Sequence, residues 1–416
     1  MAGPIPSFNV TCGSTTIDLV SVFINVGIIF CVYLIVSLSV NLEYGYTGVP
    51  NFGKVLFVAA GGLIAGALSY RIALYALGLR STDIIASQAT FIHTINQEYL
   101  PTHPYFGLEL FILSLVIGAA AAAAFGFLAS YPAIRLREDY LGMLLLAAGE
   151  FFRIFVTAYY PLTGGTQGLL VPDPVAWATS VLGERDLIVL IVLIGITVVI
   201  YFYSERTVRS PLGRMLRAIR DNDMASSALG KNNVGVRRNI LILGSAISGI
   251  AGVLYVLAFP AISPTTFLRA AWTFYPWVIV ILGGAANNVG VVIGTVAFVG
   301  VTTSIDQYRT CALSTGVSLP VDINALEPIA IGVLLLIILL WRPQGLIREK
   351  PTSTLKKSEL QSMFRRTEES GPTEDVSKAI PPPDKSGTRK DLEEAQSKTA
   401  SKGVDEPTDA KKDDGG

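Results

Sequence analysis

The chain has 416 residues, 32 basic and 32 acidic side chains, and a charged fraction of only 15%. Soluble domains carry about a quarter charged residues. With a mean hydropathy of +0.52, the composition excludes an ordinary soluble domain. A net charge of zero names no partner, and no nucleic acid is expected.

Several runs of roughly 20 apolar residues have the length of a bilayer-crossing helix. No alternating strand pattern competes with them, so helices are the expected spanning element. The stretch Met1 to Asp18 has no basic segment ahead of its apolar run, and no cleavable signal peptide is expected. The first predicted span is Ile17 to Val40, followed by a Gly/Pro-punctuated break from Asn41 to Asn51. Phe52 to Leu79 is the second, and its many small residues, from Ala59 to Ala67, let helices approach closely in lipid. The polar loop Arg80 to Tyr105 holds both histidines, His93 and His103, without Cys or paired acidic companions, so no metal site is expected.

Phe106 to Ser130 is the third span, and a basic turn with Arg135 and Arg137 follows it. Tyr140 to Tyr160 is the fourth and contains Glu150 and Arg153. After the loop Pro161 to Arg185 come the fifth span, Asp186 to Tyr203, and a polar stretch from Arg206 to Arg238. Asn239 to Phe259 is the sixth. Ala271 to Ile305 is broken by Gly283-Gly284-Ala285-Ala286-Asn287-Asn288 and reads as two short spans or half-helices, of the kind tolerated only where they line a cavity or lie buried in protein. Leu326 to Trp341 is the last. The expected fold is therefore an all-α, polytopic membrane helix bundle of about eight spans over residues 1–347. A charged C-terminal tail, residues 348–416, is too poor in large apolar side chains to bury a core and is expected to be disordered.

Lys and Arg accumulate in loops on the inner side of a membrane. Placing 206–238 inside also puts Lys54, Arg135, Arg137 and the tail inside, with the N-terminus outside. Asn9-Val10-Thr11, a glycosylation-type sequon, then faces outward. Cys12 and Cys311 also fall outside, where a disulfide can persist, and they are a candidate pair. Cys31 completes the set of three, and none forms a Cys-x-x-Cys motif.

Gly48-Val49-Pro50-Asn51-Phe52-Gly53-Lys54-Val55 nearly matches a phosphate-binding loop, but Val55 replaces the required hydroxyl and helices flank it. The match reads as accidental, and no nucleotide or other cofactor site is expected. Glu150 and Arg153 share a helix face within an apolar span. Buried charges of this kind find partners, and the pair reads either as a polar patch beside a transport path or as an ion pair fixing helix packing. In 206–238, Leu212, Met215, Leu216 and Ile219 recur at helical spacing. Ser210 and Pro211 suit a helix start, Arg214, Arg217 and Arg220 lie on other faces, and Gly230 suits the stop. This short helix either docks into a partner protein or lies on anionic lipid.

The order of several motifs resembles the branched-chain amino acid permease family of ABC importers, and within it the M-type permease. The resemblance runs from about Leu34 to Ile347. It is carried by Asn41-Leu42-Glu43-Tyr44-Gly45-Tyr46-Thr47-Gly48, Gly149-Glu150-Phe151-Phe152-Arg153, Leu162-Thr163-Gly164-Gly165, Arg209-Ser210-Pro211-Leu212-Gly213-Arg214, Ala218-Ile219-Arg220-Asp221-Asn222, Leu282-Gly283-Gly284 and Arg342-Pro343-Gln344-Gly345-Leu346. It implies a non-catalytic subunit in the cell membrane. The expected partners are two ATPase subunits, a second permease subunit and an extracellular solute-binding protein, and the solute is a branched-chain or related amino acid. The loop would then be a coupling helix seated in the ATPase, with Arg214, Arg217, Ala218, Arg220, Asp221, Ala225, Leu229 and Gly230 at the contact. Where importers of this broad kind often carry Glu-Ala-Ala, this chain has Met224-Ala225-Ser226, so an acidic contact is not carried over. Glu150, Arg153, Gly283, Gly284 and Asn287 are the candidate path residues. The rival reading is a stand-alone secondary transporter for a small polar solute, which would favour paired mid-membrane acids. Glu150 is the one strong mid-span acid. A further rival is a membrane scaffold or receptor whose tail is the working part.

Overall fold

The computed structural model describes residues 9–12, 15–79, 83–136, 138–177, 185–314, 325–342 and 344–349. Asp18 starts the first long helix, α1 (Leu19–Val40), by accepting a hydrogen bond from the Val20 amide at 3.1 Å. The helix is almost entirely apolar and widens into one π-helical turn, Asn41–Gly45. The remaining long apolar helices are α2 (Lys54–Ala76), α3 (Pro104–Arg135), α4 (Glu138–Ala158), α5 (Arg185–Arg209), α8 (Asn233–Ala258) and α10 (Asn288–Ser314). Two short helices, α6 (Pro211–Asp221) and α7 (Asp223–Ala228), sit between α5 and α8. Two shorter apolar helices, α9 (Ala270–Gly283) and α11 (Leu326–Trp341), complete the bundle. Seven helices among the described residues are long and apolar enough to cross a membrane, and these two bring the architecture to the expected polytopic bundle.

The helices run past their predicted ends. The third continues through Pro132 to Arg135, and α10 reaches Ser314 instead of stopping near Ile305. Polar and charged residues in those last turns hide the helix from a hydropathy reading. The loop 80–105, expected to be irregular, contains a short helix, Gln88–His93, and a π turn, Thr94–Tyr99, anchored by buried Ile95 and Leu100. One small antiparallel hairpin and one long-range antiparallel strand pair also form. Asn9–Cys12 pairs with Thr15–Asp18, and Leu169 and Leu170 pair with Ile262 and Ala261.

The core is α2 and α8 packed between α1 and α3. Small residues set the spacing. A Cβ on Gly61 would overlap the Gly249 backbone, one on Gly249 would overlap Ala122, and one on Gly252 would overlap the Val58 carbonyl. In lipid, where apolar surface gains nothing by leaving the tails, such backbone approach is what holds helices together. The α2 N-terminus is tied to α9: Thr273 Oγ1 accepts from the Val55 amide at 3.1 Å, and Phe52 stacks on Trp277 with centroids 4.4 Å apart.

Candidate functional site

The ends of α1, α5, α9 and α11 gather at the end of the bundle that carries α6 and α7. Asn41, in the π turn, donates to Asn288 Oδ1 at 2.9 Å and accepts from the Ala286 amide at 2.8 Å. Asn288 in turn donates to Glu205 of α5 at 2.9 Å. Glu205 also pairs with Arg209 at 2.6 Å. The Gly283–Asn288 break thus lies at this end, between α9 and α10. Gly283 and Asn287 are buried in it, and Gly284 takes a φ of +107°, a conformation that favours glycine.

Beneath this polar end lies a closed ion pair. Lys54 Nζ donates to Glu43 Oε1 at 2.8 Å and to Ser39 Oγ at 3.0 Å, and Glu43 Oε2 accepts from Asn51 at 2.7 Å. Ser248 of α8 lies 3.4 Å from the same ammonium. Lys54 is 0% and Glu43 1% exposed. Sequence reasoning placed Lys54 among the inner-side charges and missed its partner. The legible signal was a single acid and a single base flanking one Gly/Pro break. The lysine of the apparent phosphate loop is wholly used by Glu43, Ser39 and Ser248.

The loop differs from the single helix expected of it. Asn222 leaves the helical conformation (φ −158°, ψ 103°), so α6 stops at Asp221, and the Asn222 side chain caps α7 by accepting from Ala225 at 3.0 Å. Gly230, with φ +74°, ends the second helix instead of the first. Leu216 and Ile219 are buried, as their spacing predicts. Asn233 holds α7 to α8 through Asp223 Oδ1 at 2.7 Å and Ser226 Oγ at 3.0 Å.

The arginines divide. Arg214 is exposed, whereas Arg217 and Arg220 turn onto the chain itself. Arg220 donates to the Gly45 carbonyl at 2.6 Å and pairs with Glu349 at 2.9 Å. Arg217 lies over the Tyr46 ring, 5.3 Å from its centroid, with Nε 3.3 Å from Glu349 at ion-pair distance but without hydrogen-bond alignment. Burial works against the charge on Arg220, but the Glu349 and Asp221 carboxylates outweigh it and its pKa is raised. The outward cap consists of exposed Ala218, Asp221, Met224, Ala225, Leu229 and Gly230. Met224 is 84% and Leu229 79% exposed. Met224 was read only as a departure from a motif, and its projection became legible once the second helix turned it outward.

Glu150 and Arg153 pair with each other along α4, with Arg153 Nε 3.1 Å from Glu150 Oε1, and both remain partly exposed. They lie apart from the Gly283–Asn288 break. Cys311 is disulfide-bonded and Cys31 is a buried free thiol. The Cys12 side chain lies outside the described residues, as does the predicted tail beyond Glu349. Arg348 and Glu349, expected to begin that tail, instead pack onto the membrane part. No group of three or more potential metal ligands occurs among the described residues.

The family described as branched-chain amino acid transport system / permease component matches residues 22–339. The chain belongs to this family. It is therefore a multi-pass permease component of the cell membrane. Over 340 residues it is 35% identical to a probable branched-chain amino acid transport permease protein LivM of Methanocaldococcus jannaschii, covering 82% of this chain and 96% of that one. It is 28% identical over 278 residues to the high-affinity branched-chain amino acid transport system permease protein LivM of Salmonella typhimurium, with 61% of each chain covered. The Escherichia coli protein of the same name is 29% identical over 265 residues, with 58% of each chain covered. No solved structure matches.

Proposed function

We propose that this permease is one membrane subunit of an ATP-driven importer for branched-chain or related amino acids. It works with two ATPase subunits, a second permease subunit and an extracellular solute-binding protein, and takes no part in the hydrolysis itself. The observation that carries this reading is the outward cap of the α6–α7 loop. Two large apolar side chains, Met224 and Leu229, stand 84% and 79% exposed on a short helix pair that also exposes Ala218, Asp221 and Ala225. Exposed apolar anchors with a polar rim are what a partner's cleft binds. The names of the relatives support the solute class.

In this reading the loop faces the cell interior. Arg214, Ala218, Asp221, Ala225, Leu229 and Gly230 meet the ATPase, while Arg217 and Arg220 brace the helix from behind. Closure of the ATPases displaces the loop, and the Gly283, Gly284 and Asn287 break yields where glycine backbone permits it. A partly exposed Glu150–Arg153 pair in an apolar span is costly against lipid, so it faces the path or the second permease. Only states that differ in affinity for solute can be driven apart in this way. Cys12, on the same outer side, is the proposed partner of Cys311.

The test is uptake of radiolabelled leucine by proteoliposomes containing the assembled complex. Uptake requires hydrolysable ATP, and Met224→Asp with Leu229→Asp abolishes both uptake and co-purification of the ATPases while the permease stays folded. Full-rate uptake without nucleotide would instead favour the stand-alone carrier.

A further inference from the structure

The last described residues form a strap across the end of the bundle. The Gly345 amide bonds the Arg342 carbonyl at 2.9 Å, which turns the chain back at a φ of +76°. The Leu346 and Ile347 amides then donate to the carbonyls of Leu282 and Gly283 at 2.9 and 3.0 Å. Asn287 donates to the Arg348 carbonyl at 3.1 Å. The strap is thus fastened to both sides of the break by its backbone. The fit is tight: a Cβ on Gly345 would overlap Gly284, and one on Gly284 would overlap the Ile347 carbonyl.

One residue further on, Glu349 leaves the break and reaches α6. Its two carboxylate oxygens meet Arg220 at 2.9 Å and Arg217 at 3.3 Å. The two arginines are three residues apart and present one helix face to it. Charge-assisted contacts of this kind are stronger than neutral ones. The other inward contacts of these arginines go to Gly45 and Tyr46 at the end of α1. Of the outward cap only Asp221 also touches this cluster, pairing with Arg220 at 3.2 Å, and Met224, Ala225 and Leu229 face away from it.

We propose that Glu349 is a positioning residue that locks α6 to the Gly283–Asn288 break through this strap, so that moving the loop helix moves the break. The inference deepens the proposed function and rests on it for its transport consequence. Coupling between sites needs a physical connection whose two ends respond together. Here one end is a carboxylate between two arginines, and the other is a set of backbone hydrogen bonds on a glycine-permissive turn.

The full-length protein and Glu349→Gln are compared in two assays. The first is amide hydrogen exchange of the permease alone in nanodiscs, which reads local opening. The second is solute moved per ATP hydrolysed in proteoliposomes of the assembled complex. Loss of the ionic contact is expected to raise exchange about tenfold in both 211–221 and 284–290. Co-purification of the ATPases is unaffected, solute per ATP falls severalfold, and Glu349→Asp recovers part of it. Faster exchange in only one segment, or unchanged solute per ATP, overturns the linkage. Should Glu349→Gln fail to fold, Arg217→Gln with Arg220→Gln removes the same contact from the other side and is read in the same way. If the unaltered complex shows no ATP-dependent uptake, the importer reading fails, and the exchange assay still decides whether Glu349 joins the two segments.

Discussion

Removing the Lys54 ammonium strands the Glu43 carboxylate in a site from which water is excluded. Breaking one side of a buried ion pair costs about 3–5 kcal/mol, and replacing both sides is far milder. Lys54→Met should therefore lower the unfolding midpoint of the purified protein sharply, and adding Glu43→Gln should restore more than half of the loss. A double variant no better than the single one would mean that the pair contributes little. Cysteine chemistry belongs at the same scale. Peptide mapping without reductant should recover Cys12 linked to Cys311 and Cys31 as a thiol shielded until unfolding. Two alkylated thiols at Cys12 and Cys311 would remove that cross-link. Residue identity was only partly readable from the chain. The Glu150–Arg153 spacing announced a shared face, because helix geometry alone dictates it. Glu43 and Lys54 share no helix face and carried only the weaker signal of an acid and a base on either side of a Gly/Pro-rich turn, because they meet only after that turn folds back.

Helix elements were legible because about 20 apolar residues admit few other fates near a membrane. Their ends were not, since polar side chains in a last turn resemble loop. Nor were the π turns at Asn41–Gly45 and Ala60–Ile64, which arise from packing and have no hydropathy signature. The loop was read as one helix because its apolar spacing continued to Ile219. The Asn222 cap that splits it is a local competition between side chain and backbone. Packing of α8 against its neighbours makes a sharp prediction. Gly252→Leu drives a side chain into the Val58 carbonyl and should destabilise by about 1–3 kcal/mol or more, read as reduced yield of monodisperse protein. Gly195→Leu, on an α5 face with nothing within 4 Å, should be tolerated by the isolated subunit. Equal losses for both would mean that the glycine seams are not what sets helix spacing.

At the scale of the whole molecule, the packed part reaches Glu349, two residues beyond the boundary that composition drew at 347. Charged residues after the last apolar helix look alike in a sequence, whether they dock or not. A chain ending at Lys350 should retain ATP-dependent uptake. One ending at Trp341 should lose it while still inserting in the membrane. Uptake surviving the shorter ending would show that the docked segment is dispensable.

Helix α9 has a consequence for the surrounding lipid. At 1.5 Å per residue, Ala270–Gly283 reaches roughly 21 Å, well short of a hydrocarbon layer about 30 Å thick. Its last turn is met by protein backbone from Gly345 to Ile347, so the chain itself covers this end, and local thinning of the bilayer is expected to accommodate the remaining mismatch. Acyl-chain length then becomes a control on this permease. Turnover in vesicles of graded thickness should peak below the thickness that best suits α1 and α8, and a profile flat across that series would count against a recessed inner rim.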